Sequence, residues 1–494
     1  MTVLRQPNAM IVLALVAAAV AMRLPLMLLA RPYNDELMYA LVGHQWLMGH
    51  PPYSVLWDVK PPGLFALYAA AESMLGDPLL GPRVLPVICI VATALALRRL
   101  AIAWVGDGRA GFMAGLLYAS YSLVLEGVMG SSELLVAPFV AFALLLAGRP
   151  GAWPALLSGF LFGLAGMVKQ VAIFEAVLGF AIMYAANGER RSGFLAPASL
   201  YCLGGLTPFL AFAAYFGSVG TLDEFLQATV FSAALRTRGD GVSLLEGLQR
   251  FLPMLRPVLP LLVLCALCVT ERRWFRDRRN PAHFTRVFAW FLAAAGGILV
   301  LRSMYDHYFL TLLPPLALGA GLFLAELQRQ VSIFRRGAVL PAVIVALMAF
   351  PPAWVTVRAE WPIGDRDAAA ITQRLAEHGL VGGTDEPELY VADHELALYL
   401  MTRTLQPTRF AYPQHLICDF PLPPGIKPEM ELERVMARRP GYVVITTRRS
   451  RMICTREDRM ALLGRHLEAE YELVARVGSE IDPVDIFRLR RGFR

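Results

Sequence analysis

Apolar runs of membrane-crossing length recur along the first three quarters of the chain and then stop. A helix needs about 20 mainly apolar residues to cross the hydrocarbon of a bilayer. Stretches of that kind fall near residues 8–30, 80–97, 109–128, 132–148, 153–168, 170–187, 194–217, 253–270, 284–301, 307–327 and 337–357, so the pattern predicts about eleven spans. Two longer polar stretches, 31–79 and 218–252, interrupt the series. Within the first, residues 64–76 are apolar but too short to cross, and they read as a helix lying at the outer interface. Beyond residue 357 the pattern changes. Helical periodicity over 366–378, 429–438 and 457–470, with strand-like runs at 389–393, 441–446, 472–478 and 484–490, predicts a small α/β domain. The expected architecture is a polytopic α-helical membrane domain, 1–357, followed by a water-facing α/β domain, 358–494.

Composition agrees with this division. Of 494 residues, 56% are apolar and 17% charged, against roughly 25% charged in soluble domains, which excludes a single water-soluble globule. The chain carries 46 basic and 39 acidic residues, and 41 of these charges lie from Arg358 onward. Arginines collect in alternate turns: Arg98, Arg99 and Arg109; Arg149; Arg190 and Arg191; the run Glu271–Arg279; and Arg329, Arg335 and Arg336. Short cytoplasmic loops gather basic residues, so these turns and the N-terminus are expected inside. An odd number of spans then puts the C-terminal domain and both long loops outside, on the periplasmic or extracellular side. Counting 64–76 as a span would reverse every later turn. A cleaved signal peptide over residues 1–30 is the weaker reading, because no small-x-small site follows the apolar run.

Cys418 and Cys454 are the two cysteines of the C-terminal part, and an oxidising compartment would let them pair, although spacing alone does not show proximity. Cys89, Cys202, Cys265 and Cys268 lie in spans and read as small apolar packing residues. The chain has no P-loop and no dinucleotide fingerprint, and nothing in it calls for a nucleic-acid partner.

Candidate chemistry belongs in the outer loops, since the inner turns are too short to build a site. Arg31-Pro-Tyr-Asn-Asp-Glu-Leu-Met-Tyr39 follows the first span, and Gly49-His-Pro-Pro-Tyr53 and Lys60-Pro-Pro-Gly63 come soon after. Asn34 or Asp35 could simply cap a helix. Lys60 changes the balance. It is one of only three lysines beside 43 arginines, and it shares this loop with Asp35 and Glu36. A carboxylate that accepts a proton and an ammonium that neutralises a phosphate are what transfer from a phosphate-linked donor requires. In Gly130-Ser-Ser-Glu133 the acid could be a helix-dipole partner behind a serine cap, or a site residue, because an acid at membrane depth needs a cavity or a partner. Lys169, at the outer end of the fifth span, could snorkel to the headgroups or supply a second positive charge. Arg302-Ser-Met-Tyr-Asp-His-Tyr308 forms another polar turn, with Arg302, His307 and Tyr308 as candidate ligands; either this turn or Arg236, Arg238 and Asp240 in the long loop could be a solvated rim, and the short turn between apolar spans is the better candidate. The histidines show no paired spacing for zinc. No motif names a cofactor, and a divalent cation held by Asp35, Glu36 or Glu133 stays possible.

Taken in order, Asp-Glu-x-x-Tyr at 35–39, Gly-x-Pro-Pro-Tyr at 49–53, Lys-Pro-Pro-Gly at 60–63, Pro-Arg-Val-Leu-Pro at 82–86, the short loop ending in Glu133, Gly-x-Ala-Gly-Met-Val-Lys at 163–169 and His-Tyr-Phe-Leu with Leu-Pro-Pro at 307–315 resemble a known family. It is the bacterial branch of the protein O-mannosyltransferase-like superfamily, integral-membrane glycosyltransferases of the C-type fold that include the aminoarabinose transferases acting on lipid A. The resemblance implies a polyprenyl-phosphate-linked sugar as donor and transfer at the outer face. It also implies Asp35 as catalytic base, Glu133 as the second acidic position and Lys60 as a donor-phosphate ligand. Beside these, Glu36, Tyr39, Tyr53, Lys169, Arg302, His307 and Tyr308 are the candidate substrate-binding residues. One departure is visible: the second acid is often aspartate in the family and is glutamate here. The acceptor could be a glycan, lipid A or another lipid, or a protein, and membrane lipids surround the chain. The competing class is a transporter or flippase of lipid-linked sugars, which commonly carries internal repeats; none is visible in this chain.

Overall fold

The computed structural model describes residues 8–29, 34–188, 194–232, 234, 243–270, 282–301, 304–330, 343, 346–348, 350, 365–382, 388–394, 396–418, 422, 425–446, 454–478 and 483–493. Among the described residues, helices occupy ten of the eleven predicted stretches: α1 (Asn8–Leu29), α4 (Gly81–Val105), α5 (Gly108–Tyr121), α6 (Ser132–Ala147), α7 (Ala152–Val168), α8 (Ile173–Asn187), α9 (Leu195–Ser218), Leu259–Thr270, Ala282–Leu301 and Leu313–Gln330. Two more, α2 (Asn34–Leu47) and α3 (Pro62–Leu75), lie in the first polar stretch. The expected span at 337–357 falls almost wholly outside the described residues. Five of the described helices are long and apolar enough to cross a membrane. A sixth span results if Leu245–Met254 and Arg256–Cys268, bent by 42°, are taken together. The protein is membrane-embedded.

One helix is shorter than its apolar run. The 109–128 stretch stops being helical at Tyr121 because its last carbonyls are taken by side chains. Arg23 of α1 donates to both the backbone carbonyl and the hydroxyl of Ser122, and the Ser122 hydroxyl donates to the Ala119 carbonyl at 2.7 Å. Leu125 and Glu126 then take left-handed conformations, φ 57° and 59°, which no helix tolerates.

The chain divides into two compact units: Met1–Ala30, Val59–Leu64 and Arg83–Trp361 form the first, and Arg31–Asp58, Phe65–Pro82 and Pro362–Arg494 the second. In the first, α7 and α9 pack closely at small residues. A Cβ on Gly159 would stand 2.0 Å from the Tyr201 carbonyl oxygen, so only glycine lets these two backbones touch, as is common between membrane helices. Helix Leu313–Gln330 packs against α5 and is buried along almost its whole length.

The second unit contains a four-stranded sheet of β1 (Leu389–Val391), β2 (Tyr442–Thr446), β3 (Tyr471–Gly478) and β4 (Pro483–Leu489), in the order β1-β2-β4-β3. β1 runs parallel to β2, with Tyr390 opposite Val443. β4 is antiparallel to both its neighbours, pairing Ile486 with Val444 on one side and with Ala475, past a bulge, on the other. A parallel pair needs a crossover, and helices Ala397–Thr402, Pro413–Ile417 and Pro428–Ala437 lie between β1 and β2 in the chain. The sequence pattern predicts the third of these and neither of the two short ones. Cys418 and Cys454 form a disulfide, Cα to Cα 5.2 Å.

Candidate active site

Two constellations form, one in each unit. In the first, α6 begins directly after a polar turn, and Glu133 in its opening turn is 1% exposed. Ser131, the residue before the helix, makes no side-chain cap, while Glu133 does stand in the first turn, where the helix dipole favours an acid. The carboxylate of Glu133 accepts from the Lys169 ammonium and, at 3.0 Å, from the Ser132 hydroxyl. Lys169 is itself buried, 5% exposed, and does not snorkel. It occupies a break: α7 ends at Val168, Lys169 is extended at φ −152° and ψ 119°, and a short 3₁₀ turn, Gln170–Ala172, precedes α8. Its ammonium lies 4.3 Å from the centre of the Tyr308 ring, a cation–π contact.

Around this ion pair the other polar turns gather. His307 donates through Nδ1 to Glu126 at 2.8 Å, and its ring stacks parallel to Tyr305 and edge-on to Tyr308. Glu126 is the acid that the sequence pattern hides within an apparent span. A lone carboxylate in an apolar run is itself a signal of function, and its left-handed backbone adds the kind of strain found at such sites. The loop carrying Lys60 is drawn to the α7–α8 break, since Gln170 donates to the Val59 carbonyl at 3.1 Å. A Cβ on Gly63 would stand 2.6 Å from the Met167 carbonyl oxygen, so the Lys-Pro-Pro-Gly turn approaches the end of α7 only because its last residue is glycine. Glu133 also faces a small cavity lined by Val136, Trp290, Thr311 and a second buried acid, Glu175, which accepts from the Trp290 indole at 2.6 Å.

In the second unit, Asp35 stands in the first turn of α2. Its carboxylate is held by two phenols: Tyr39 donates to Oδ2 at 3.2 Å and Tyr412 to Oδ1 at 2.5 Å. Its neighbour Glu36 is buried in the same helix, 3% exposed. Tyr39 packs its ring against Phe65 and Tyr68 of α3, and Tyr53 packs edge-on to Phe65. Tyr53 is buried in a left-handed conformation, φ 71°. Burial, and then the negative charge of Asp58, push its phenol well above the usual range, so it keeps its proton.

Arg302, Arg236, Arg238 and Asp240 lie outside the described residues. Among the described residues no three His, Cys, Asp or Glu side chains gather to hold a metal ion. The expected site residues thus fall into two groups, Lys60, Glu133, Lys169, His307 and Tyr308 in one unit and Asp35, Glu36, Tyr39 and Tyr53 in the other.

The helical membrane part with its appended small sheet is the C-type glycosyltransferase fold. The chain is similar in structure to ArnT from Cupriavidus metallidurans bound to undecaprenyl phosphate, with a TM-score of 0.68 and 14% identity over 97% of this chain and 98% of that one. The same ArnT in its apo state gives a TM-score of 0.63 and 12% identity over 96% of this chain and 97% of that one. No family model matches the chain, and no curated protein matches it in sequence.

Proposed function

We propose that this protein is a membrane glycosyltransferase that moves a sugar from a polyprenyl-phosphate carrier to an acceptor hydroxyl. The observation that carries this reading is the ammonium of Lys169, buried where two apolar helices break and neutralised there by Glu133. A buried ammonium is costly without an anionic partner, and a phosphate headgroup arriving from the membrane is a second anion for it to meet. The full-length likeness to ArnT, whose structure holds undecaprenyl phosphate, supports a carrier of that kind.

In the proposed reaction the acceptor oxygen attacks the anomeric carbon and the bond from that carbon to the phosphate oxygen breaks. The electron pair leaves with the polyprenyl phosphate, and Asp35 takes the acceptor's proton. Lys60 and Lys169, with Arg302, would balance the growing phosphate charge. Glu133 holds Lys169 in place, and His307 and Tyr308 frame it. The displacement is single and inverts the anomeric configuration. In this reading the chain crosses a bacterial inner membrane about eleven times, and its C-terminal domain, beginning near residue 358, lies on the extracytoplasmic side. The acceptor is lipid A, another envelope glycan or a protein hydroxyl.

Purified protein in undecaprenyl-containing liposomes, given undecaprenyl-phosphate-linked sugars and candidate acceptors, should release undecaprenyl phosphate, detected by mass spectrometry, only when donor and acceptor are both present. Movement of the donor across the bilayer without any release would point to a transporter and sink the reading.

A further inference from the structure

The Asp35 carboxylate is gripped by two phenols that come from opposite ends of the chain. Tyr39 is one helical turn away, whereas Tyr412 is 377 positions distant. Tyr412 heads the short helix Pro413–Ile417, and the segment around it is fastened on both sides. Upstream, Gln406 exchanges an amide hydrogen bond with Gln45 at 2.6 Å, and the Arg409 carbonyl accepts from the Trp57 backbone N–H at 2.8 Å. Downstream, Cys418 is tied to Cys454, and its carbonyl accepts from the Arg459 guanidinium. A hydroxyl delivered from a segment pinned at both ends arrives at a defined point.

We propose that Tyr412 is a positioning residue for the proton-accepting carboxylate, so that the C-terminal α/β part takes part in the reaction through Asp35. This rests on the reading of Asp35 as the base. A carboxylate has about four lone-pair sites on its two oxygens. One phenol on each oxygen fixes the plane of the group and still leaves each oxygen a site for the acceptor's proton. Hydrogen bonds from hydroxyl to carboxylate are short and strong, which suits the 2.5 Å contact. Orientation matters because a general base works only within hydrogen-bond reach of the proton, and a misplacement of about 1 Å can cost about a hundredfold in rate.

The test uses full-length protein in liposomes and the variants Tyr412→Phe, Tyr39→Phe and Asp35→Asn. Tyr412→Phe keeps the ring and its packing but removes the donor. Its first readout needs no substrate: the rate at which a water-soluble carbodiimide labels Asp35, measured by peptide mass spectrometry, should rise severalfold. Its second is turnover of the undecaprenyl-phosphate sugar and acceptor pair used by the wild type: kcat should fall about tenfold to a hundredfold, with both KM values changed less than twofold. Tyr39→Phe should show a smaller version of both effects, in keeping with its longer bond. Unchanged labelling, an unchanged kcat, or a loss confined to KM would each overturn the proposal. If Asp35→Asn turned over at the wild-type rate, the base assignment would fail and the proposal with it. Wild-type kcat in Tyr412→Phe beside an inactive Asp35→Asn would overturn the role of Tyr412 alone.

Discussion

Glu133 and Asp35 both stand in the first turn of a helix that follows a polar stretch, yet their surroundings are opposites. Glu133 is buried against a lysine, a formal charge cancelled by a formal charge. Asp35 is partly exposed and is held by two neutral hydroxyls. The difference bears on what each acid can do. Protonating Glu133 would leave Lys169 buried and uncompensated, so this carboxylate is poorly placed to accept a proton and well placed to hold a cation. Phenol hydrogen bonds orient Asp35 without cancelling its charge, so it keeps a proton-accepting oxygen at no such cost. Under the proposed function, these neighbours suit Asp35 to the role of base and Glu133 to that of cation holder.

The largest effects should separate them most sharply. Asp35→Asn is expected to lower the transfer rate by about 10²–10⁴ while leaving thermal unfolding of the detergent-solubilised protein within a degree or two. Glu133→Gln is expected to do the reverse in kind, destabilising by about 3–5 kcal/mol because one partner of a buried pair is removed. The double variant Glu133→Gln with Lys169→Met should regain much of that stability, and an equally unstable double variant would show that the pair is not what holds α6 to the α7–α8 break. Lys60→Ala should cost about 10²–10³ in kcat, by analogy with the loss of one preorganised charge, with the melting temperature unmoved; a rate within threefold of wild type would remove Lys60 from the phosphate site. In the second unit, Cys454→Ser should lower stability by about 2–4 kcal/mol, read as an earlier transition in chemical unfolding. The smallest expected effect is Gly63→Ala, about 1–3 kcal/mol, since the new methyl would press on the Met167 carbonyl. Its signature is a shift in donor KM through Lys60, and an unchanged KM would argue that the loop tolerates the displacement.

Much of the fold is legible in the sequence because apolar periodicity reports burial, and in a membrane burial and lipid exposure call for the same residues. The strands of the C-terminal sheet are legible for a related reason: β2 is buried from Tyr442 to Ile445, and its run of Tyr-Val-Val-Ile is what a central strand needs. The exceptions are long-range. Little near Tyr121 marks the end of α5, since Arg23, which takes the carbonyl and hydroxyl of the capping Ser122, lies 99 residues before that serine. Lys169 offers two equal readings until Glu133, 36 residues before it, is seen to share its burial. Tyr412 has no local mark at all, because its importance rests on a contact with a residue at the other end of the chain. Glu126 is the instructive omission. Its signal, an acid within an apolar run, is present in the sequence and is masked there by the assumption that the run is a single helix.

The Cys418–Cys454 bond has a topological consequence. It closes a ring of chain that contains helix Pro428–Ala437 and β2, one of the two inner strands of the sheet. A single peptide-bond cut within that ring, for example at the exposed Gly425, releases nothing: both pieces stay joined through sulfur and keep their place beside β1 and β4. Only reduction lets them separate. Gel mobility after one proteolytic cut, with and without a reductant, therefore records whether a given molecule has closed the ring.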